Sequence, residues 1–115
     1  MNETIENGPY FYNEKQTVQE LGGGVRRKIL AYGKNLMTVE VLFETGARGA
    51  VHTHPHTQIT YVVAGRFRYN VGGKEADVAK GDTVYIDPDV PHGCVCLEAG
   101  RLVDIFTPMR EDFLK

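Results

Sequence analysis

The chain has 115 residues, with 13 Lys and Arg against 15 Asp and Glu, which gives a formal net charge of -2. This near balance argues against nucleic acid or an anionic membrane as the main partner, because both favour a basic excess. Hydrophobic residues make up 42% of the chain, enough for one globular domain over residues 1–115, and the apolar runs are too short to span a bilayer.

The amino-terminal segment is charged and lacks the apolar stretch of a secretory signal. We expect residues 1–15 to form a poorly ordered arm ahead of a folded core over about residues 25–107. Cys94 and Cys96 are the only cysteines, and their spacing on one strand would strain a disulfide. Two unpaired thiols are typical of the reducing cytoplasm, where we expect the protein to work. A Cys-x-Cys metal site is the alternative, but the chain has no second cysteine pair to complete it.

Short segments rich in β-branched and aromatic residues follow one another along the chain, and helical periodicity is nearly absent. The pattern predicts strands at residues 25–32, 36–43, 58–64, 66–71, 74–79, 83–86, 92–97 and 102–107. Gly72-Gly73 is a hairpin signal, and only the tail after Pro108 is expected to form a short helical turn. Short strands separated by turns favour an all-β sandwich or barrel.

The four histidines fall at positions 52, 54, 56 and 92. On an extended strand His52 and His54 point to the same side, as two ligands of one metal would. His92 lies on another strand and can approach them only if the sheet curls. Imidazole nitrogens together with the amide oxygen of Gln58 suit a borderline divalent metal. The alternative is an exposed polar loop without a metal.

Spacing around these histidines resembles the cupin superfamily. Gly46, His52, His54, Gln58 and Gly65 follow the order G-x5-H-x-H-x3-Q-x6-G, and the run from Gly81 to His92 matches the second cupin motif in spacing. The resemblance implies a jelly-roll barrel, or double-stranded β-helix, and a homodimer. It also implies one divalent transition metal (Ni, Zn, Mn, Fe or Co) held by His52, His54, Gln58 and His92, with His56 as a possible ligand. Gln58 stands where most members have Glu, so a neutral ligand set would leave the full divalent charge on the site.

Two charged residues near the carboxyl terminus are further candidates. Asp104 shares the face of Leu102 and Phe106 on a predicted strand, where burial would raise its pKa toward the range useful for proton transfer. The alternative is a structural ion pair, with partners to be sought among Arg26, Arg66 and Arg68. Arg110 offers the planar fork that binds a carboxylate, but composition alone favours a solvated surface arginine at this position.

A narrower resemblance covers most of the chain from Glu20 to Leu114. The runs HTHPHTQITYVVAG and LVDIFTPMREDFL are similar to the KdgF family of small cupins. That family converts 4,5-unsaturated monouronates, released during pectin and alginate breakdown, into the linear 5-keto-4-deoxyuronate. The resemblance implies that Asp104, Phe106 and Arg110 lie beside the metal as active-site residues. The alternatives are a metal-dependent cupin dioxygenase and a non-enzymatic, uronate-binding barrel.

Overall fold

The structure, a computed structural model, describes residues 8–114 and contains eight strands within that range. The strands are β1 (Val18–Gly22), β2 (Val25–Gly33), β3 (Leu36–Phe43), β4 (Arg48–His52), β5 (Thr57–Val71), β6 (Lys74–Ala79), β7 (Thr83–Ile86) and β8 (His92–Thr107). The predicted all-β fold is confirmed, and the expected turn after Pro108 is a 3-10 turn at Glu111–Leu114. Residues 1–7 of the predicted arm lie outside the described residues. Within the rest of the arm, Asn13–Lys15 forms another 3-10 turn.

Two long strands, β5 and β8, pair with each other along their whole length and take part in two sheet faces. Residues 57–62 of β5 and 102–107 of β8 lie in one face, flanked by β7 on one side and by β3, β2 and β1 on the other. Residues 66–71 and 92–96 lie in the second face, between β6 and β4. The predicted breaks within β5 and β8 are therefore wrong, because both strands bend from one face into the other without ending.

The bend occurs where Gly65 of β5 meets Gly100 of β8. Gly65 has a φ of 86°, in the left-handed region that side chains disfavour. A Cβ on Gly65 would lie 2.5 Å from the Glu98 carbonyl oxygen, and one on Gly100 would collide with the backbone of Ala64. The two strands can approach this closely only because neither residue carries a side chain, so this glycine pair allows the sheet to curl.

The sequence analysis did not predict β1 and β4. Each has only five residues, most of them exposed, so neither shows the apolar alternation by which strands are recognised. β1 pairs with the edge of β2, and β4 pairs with the first half of β8. Tertiary pairing rather than local pattern defines these two strands.

Apolar side chains pack in two clusters inside the barrel. Phe43 and Phe67 meet edge to face at 5.2 Å in the larger cluster, which includes Leu102. Phe106 packs with Met37 and Val39 in the smaller one. Asp104 lies between Leu102 and Phe106 on the same strand face, so a polar site separates the two apolar clusters.

Among residues 8–114, no helix has the length and apolarity needed to cross a membrane.

Candidate metal centre and active site

Three histidines converge although they come from two strands and a loop; His54 and His92 are buried, and His52 is exposed. His52 ends β4 and is directly paired with His92, the first residue of β8, and their ring centroids are 4.4 Å apart. His54, in the loop after β4, lies 4.8 Å from His92 and 5.6 Å from His52 by the same measure. One nitrogen of each ring lies within 4.8 Å of the others, so the three could hold one metal ion.

Backbone carbonyls fix the orientation of these rings. The Nδ1 atom of His52 lies 2.8 Å from the Ala50 carbonyl oxygen, and that of His92 lies 2.9 Å from the Val90 carbonyl oxygen. Each Nδ1 must donate to its carbonyl, so each Nε2 keeps a free lone pair, as in metal-binding histidines. The Nε2 of His92 is buried and has no hydrogen-bond partner. Burial also lowers the pKa of His92 to about 4, which keeps the ring neutral, the form that binds metals.

His54 supplies a second sign that the site suits a cation. Its Nδ1 lies 3.2 Å from the His56 carbonyl oxygen, and its Nε2 lies 2.8 Å from Oε1 of Gln58. Both neighbours are acceptors, but a neutral imidazole has only one N–H to donate. Burial lowers the pKa of His54, which disfavours a second proton. A metal ion contacting Nε2 of His54 and Oε1 of Gln58 would satisfy both lone pairs.

A chain of hydrogen bonds connects this cluster to Asp104. Nε2 of Gln58 donates to Oγ1 of Thr60 over 2.8 Å, and Oγ1 of Thr60 donates to Oδ1 of Asp104 over 2.7 Å. Thr60 is fully buried and faces Asp104 across the β5–β8 pair. The hydroxyl of Tyr69 interacts with the side chains of Thr60 and Gln58. Burial raises the pKa of Tyr69 well above its ordinary value, so this hydroxyl stays protonated.

Asp104 has the environment expected of a buried acid. Its carboxyl lines the cavity, and desolvation raises its pKa to about 6, although the hydrogen bond from Thr60 opposes the shift. The alternative of an ion pair between Asp104 and Arg66 or Arg68 is wrong. Those two arginines pair with Asp77 and Glu98 on the outer surface instead.

The Arg26 alternative also fails, because its side chain is exposed. Arg26 and Arg27 are successive residues of β2 and point to opposite sides of the sheet, and Arg27 is the one that lines the cavity with Asp104. Asp104 is therefore held by a neutral hydroxyl instead of an arginine.

Arg110 and Phe106 also line the cavity. Arg110 is 9% exposed, so the reading of it as a solvated surface residue is wrong. Its Nε and Nη2 donate to the two carboxylate oxygens of Asp112, at 3.1 and 2.9 Å. Its guanidinium carbon lies 5.1 Å from the ring centroid of Phe106 and 4.2 Å from that of Phe113. Arg110 thus brings an ion-paired guanidinium to the cavity while stacking on two phenyl rings.

These residues surround one cavity of about 230 Å³. The cavity is lined by the predicted site residues His52, Gln58, His92, Asp104, Phe106 and Arg110, and by Arg27, Tyr69, Cys94 and Phe113. Neither Arg27 nor Thr60 was identified from the sequence, although the strand pattern around each residue could have indicated it. Arg27 interrupts the apolar face of Val25 and Ile29, and Thr60 shares the strand face of Gln58.

His56 and the cysteines take less direct positions. The ring of His56 lies 5.4 Å from that of His54 and 6.2 Å from that of Phe106, and its buried Nδ1 has no partner. It therefore lies next to the cluster of three rather than within it.

Cys94 and Cys96 are free and buried. Desolvation raises the pKa of Cys94 to about 12, so its thiol is neutral and unreactive.

Comparison with known proteins places the same region in a known family. Residues 39–106 match the family model described as a cupin domain. The pectin degradation protein KdgF of Dickeya dadantii (strain 3937) is 41% identical over 107 residues, which cover 91% of this chain and 97% of that protein.

Solved structures with the same fold include two at high similarity. An RmlC-like cupin from Shewanella frigidimarina NCIMB 400 superimposes with a TM-score of 0.87 at 41% identity, covering 90% of this chain and 94% of that one. KdgF from Halomonas sp. also gives 0.87, at 37% identity, covering 92% and 98%. An oxalate decarboxylase variant from Bacillus subtilis gives 0.79 at 22% identity over 89% of this chain and 30% of that one, which shows a shared fold alone.

Proposed function

Because this chain belongs to the cupins and, within them, to the KdgF family, we propose that it is an enzyme of uronate catabolism. It converts 4,5-unsaturated monouronates, the products of pectin and alginate breakdown, into the linear 5-keto-4-deoxyuronate. The observation that supports this activity most directly is the cavity that His52, His92, Asp104 and Arg110 line together. A cation site, a buried acid and a guanidinium are the groups that an acidic, enolisable sugar requires.

The proposed metal ligands are His52, His54, His92 and Gln58. The orphaned Nε2 of His92 and the facing acceptors of His54 and Gln58 support this set, and the position of His56 outside the cluster favours Gln58 as the fourth ligand. The ion is one divalent transition metal from the group Ni, Zn, Mn, Fe and Co. When bound, it supplies a Lewis acid that polarises substrate oxygens without changing its redox state.

Asp104 is the proposed proton-transfer residue. Ring opening breaks the bond between C1 and the ring oxygen, turns the C1 hydroxyl into an aldehyde and leaves an enol at C5. The proton lost from the C1 hydroxyl is balanced by the one gained by the former ring oxygen, which becomes the enol hydroxyl. Ketonisation then transfers one proton from the enol hydroxyl to C4, so no oxidant or reductant is needed. A carboxyl that lines the cavity and is held by the Thr60 hydroxyl is positioned to take and return that proton.

Phe106 and Arg110 are proposed to hold the substrate. The ring of Phe106 borders both the histidine cluster and Arg110, so it forms an apolar wall for the sugar. Nη1 of Arg110 makes no hydrogen bond with the described residues, while its other nitrogens bind Asp112. Arg110 therefore keeps a free donor for the substrate carboxylate.

We also propose a homodimer that works in the cytoplasm. Ile59 of β5 is paired with Tyr85 on one side and with Ile105 on the other, and Ile59 and Tyr85 are 41% and 59% exposed. A second copy covering this outer sheet face would remove the apolar surface from water. Two free thiols support a reducing compartment.

The deciding experiment follows the ultraviolet absorbance of the conjugated double bond in an unsaturated monouronate, with and without a chelator. We expect enzyme-dependent loss of absorbance that is faster than spontaneous ring opening, is abolished by the chelator and proceeds without oxygen. Loss that requires oxygen would identify a dioxygenase, and binding without loss would identify a uronate-binding barrel. Either result would overturn the proposed activity.

A further inference from the structure

The inner face of β2 carries a charged residue among apolar ones. Arg27 lies between Val25 and Ile29 on that face and is directly opposite Val41 of β3. It lines the same cavity as Asp104 and Arg110. An arginine in an apolar wall must be compensated, because an unpaired buried charge is costly.

The hydrogen-bond and ring partners of Arg27 are neutral, and its charged neighbours Arg110 and Asp112 act on it through space without forming an ion pair. Its Nε donates to Oε1 of Gln19 over 2.8 Å, and its guanidinium carbon lies 3.9 Å from the centroid of the Phe113 ring. Among residues 8–114, none of the ion pairs includes Arg27. Both Nη nitrogens therefore keep their hydrogen atoms free while the Nε bond and the stacked ring hold the group in place.

Arg110 is in a different state although it stacks on the same ring. Its guanidinium carbon is 4.2 Å from the Phe113 centroid, but Asp112 already occupies its Nε and Nη2 and neutralises its charge. Bidentate recognition of a carboxylate needs two parallel N–H donors on one fork. Both arginines keep an Nη1–Nη2 pair for this, but only the positive charge of Arg27 has no ion-pair partner among the described residues.

We propose that Arg27 is the principal residue that binds the substrate carboxylate, through its two Nη nitrogens, with Arg110 as a secondary contact. This inference rests on the proposed function, and it moves the main carboxylate contact from the carboxyl-terminal segment to β2. Phe113 stacks on both guanidinium groups, so an acidic sugar is recognised by two stacked arginines, of which only Arg110 is in an ion pair.

The identity of residue 19 fits this role. Gln19 holds Arg27 through a neutral amide oxygen, and it is directly paired with Arg27 across β1 and β2. A glutamate of nearly the same size would make an ion pair here and cancel the charge that the substrate needs. Glutamine orients the guanidinium and leaves its charge available.

The test compares Arg27→Met with Arg26→Met, its neighbour on the outer face of the same strand. Isothermal titration with D-galacturonate, and with neutral D-galactose as its matched ligand, measures the carboxylate contribution in the metal-loaded protein. We expect Arg27→Met to weaken galacturonate binding about 10- to 100-fold and to leave galactose binding unchanged. Arg26→Met should match the wild type, and Gln19→Glu should weaken galacturonate binding while keeping Arg27 in place.

Turnover of an unsaturated monouronate separates this inference from the proposed activity. Arg27→Met should raise KM far more than it lowers kcat, and Arg27→Lys should recover part of the loss. Wild-type binding of galacturonate no stronger than that of galactose, or equal affinities for Arg27→Met and Arg26→Met, would overturn the role of Arg27. A wild type that binds galacturonate through Arg27 but converts no substrate would overturn the activity alone.

Discussion

The hydroxyl of Thr60 lies 2.7 Å from the carboxylate of Asp104 and donates its only hydrogen atom to it. Since that hydrogen is used, the Thr60 oxygen can only accept from Gln58, whose amide nitrogen lies 2.8 Å away. The amide of Gln58 is thereby fixed with its oxygen toward His54. One hydroxyl thus orients a proposed metal ligand and a proposed proton-transfer group at the same time.

Replacing Thr60 with valine tests this link. Valine has the same shape, so it removes the hydroxyl and frees the Gln58 amide to rotate. We expect metal affinity to fall about 10- to 100-fold, as for other residues that orient metal ligands, and activity to fall with it. Titration with Zn²⁺ and with Ni²⁺ gives the affinity. Thr60→Ser, which keeps the hydroxyl, is the control and should stay within a few-fold of the wild type.

Loss of stability is the competing explanation, because an unpaired buried amide costs about 1–3 kcal/mol. Thermal melting of the metal-free variants separates the two effects. Unchanged metal affinity in Thr60→Val would show that Gln58 keeps its orientation without Thr60.

Replacing Asp104 with asparagine tests the proton-transfer role. Asparagine has nearly the same shape and can still accept from Thr60, but it cannot take up a proton. We expect kcat to fall about 100- to 10,000-fold, the usual contribution of a general acid or base. Metal affinity and the melting temperature should stay close to those of the wild type. Turnover within a few-fold of the wild type would exclude Asp104 from the proton transfer.

Local patterns were sufficient to predict most of this fold. β3 was predictable because its apolar residues alternate with polar ones. β6 was predictable because it directly follows the Gly72-Gly73 turn. β1 was missed because its residues are mostly exposed, and its place depends on pairing with β2. The unbroken course of β5 and β8 was missed because Gly65 looks like a turn, whereas here it permits a bend.

The site was predictable to the extent that its residues stand out by type. Histidine spacing and the lone carboxylate of Asp104 in an apolar strand are local signals. The partners of those residues are not, because Thr60 meets Asp104 across 44 positions of sequence. Arg27 reaches Phe113 only through the return of the carboxyl terminus over the cavity, which no local pattern encodes.

Metal removal should destabilise the protein as well as inactivate it. An ion that binds only the native state at about 1,000 times its Kd adds about 4 kcal/mol to the free energy of unfolding. We therefore expect dialysis against a chelator to lower the melting temperature, and added metal to restore it. His92→Ala and Gln58→Leu should lose this metal-dependent rise.

His56→Ala is the matched control for those two variants, since His56 lies beside the cluster. It should keep the metal-dependent rise in melting temperature. The reverse pattern, with loss in His56→Ala and retention in Gln58→Leu, would assign the fourth ligand to His56.

The glycine pair at the bend gives a prediction about folding alone. A methyl group on Gly100 would collide with the backbone of Ala64, which cannot move without separating β5 from β8. We expect Gly100→Ala to lower the free energy of unfolding by about 1–3 kcal/mol or more, measured by urea denaturation. Gly33→Ala is the control, because nothing lies within 4 Å of the added atom there. Equal stability of the two variants would show that the strands have room to separate.

The outer sheet face gives a prediction about assembly. Tyr85 is 59% exposed and lies directly opposite Ile59, so a lysine at position 85 would place a charge in the middle of the proposed dimer contact. We expect sedimentation to show a dimer for the wild type and a monomer, or a dimer about 10-fold weaker, for Tyr85→Lys. Val51→Lys is the matched control, since Val51 is 66% exposed on β4, in the other face. A wild type that sediments as a monomer, or a Tyr85→Lys variant as dimeric as Val51→Lys, would place any self-contact elsewhere on the barrel.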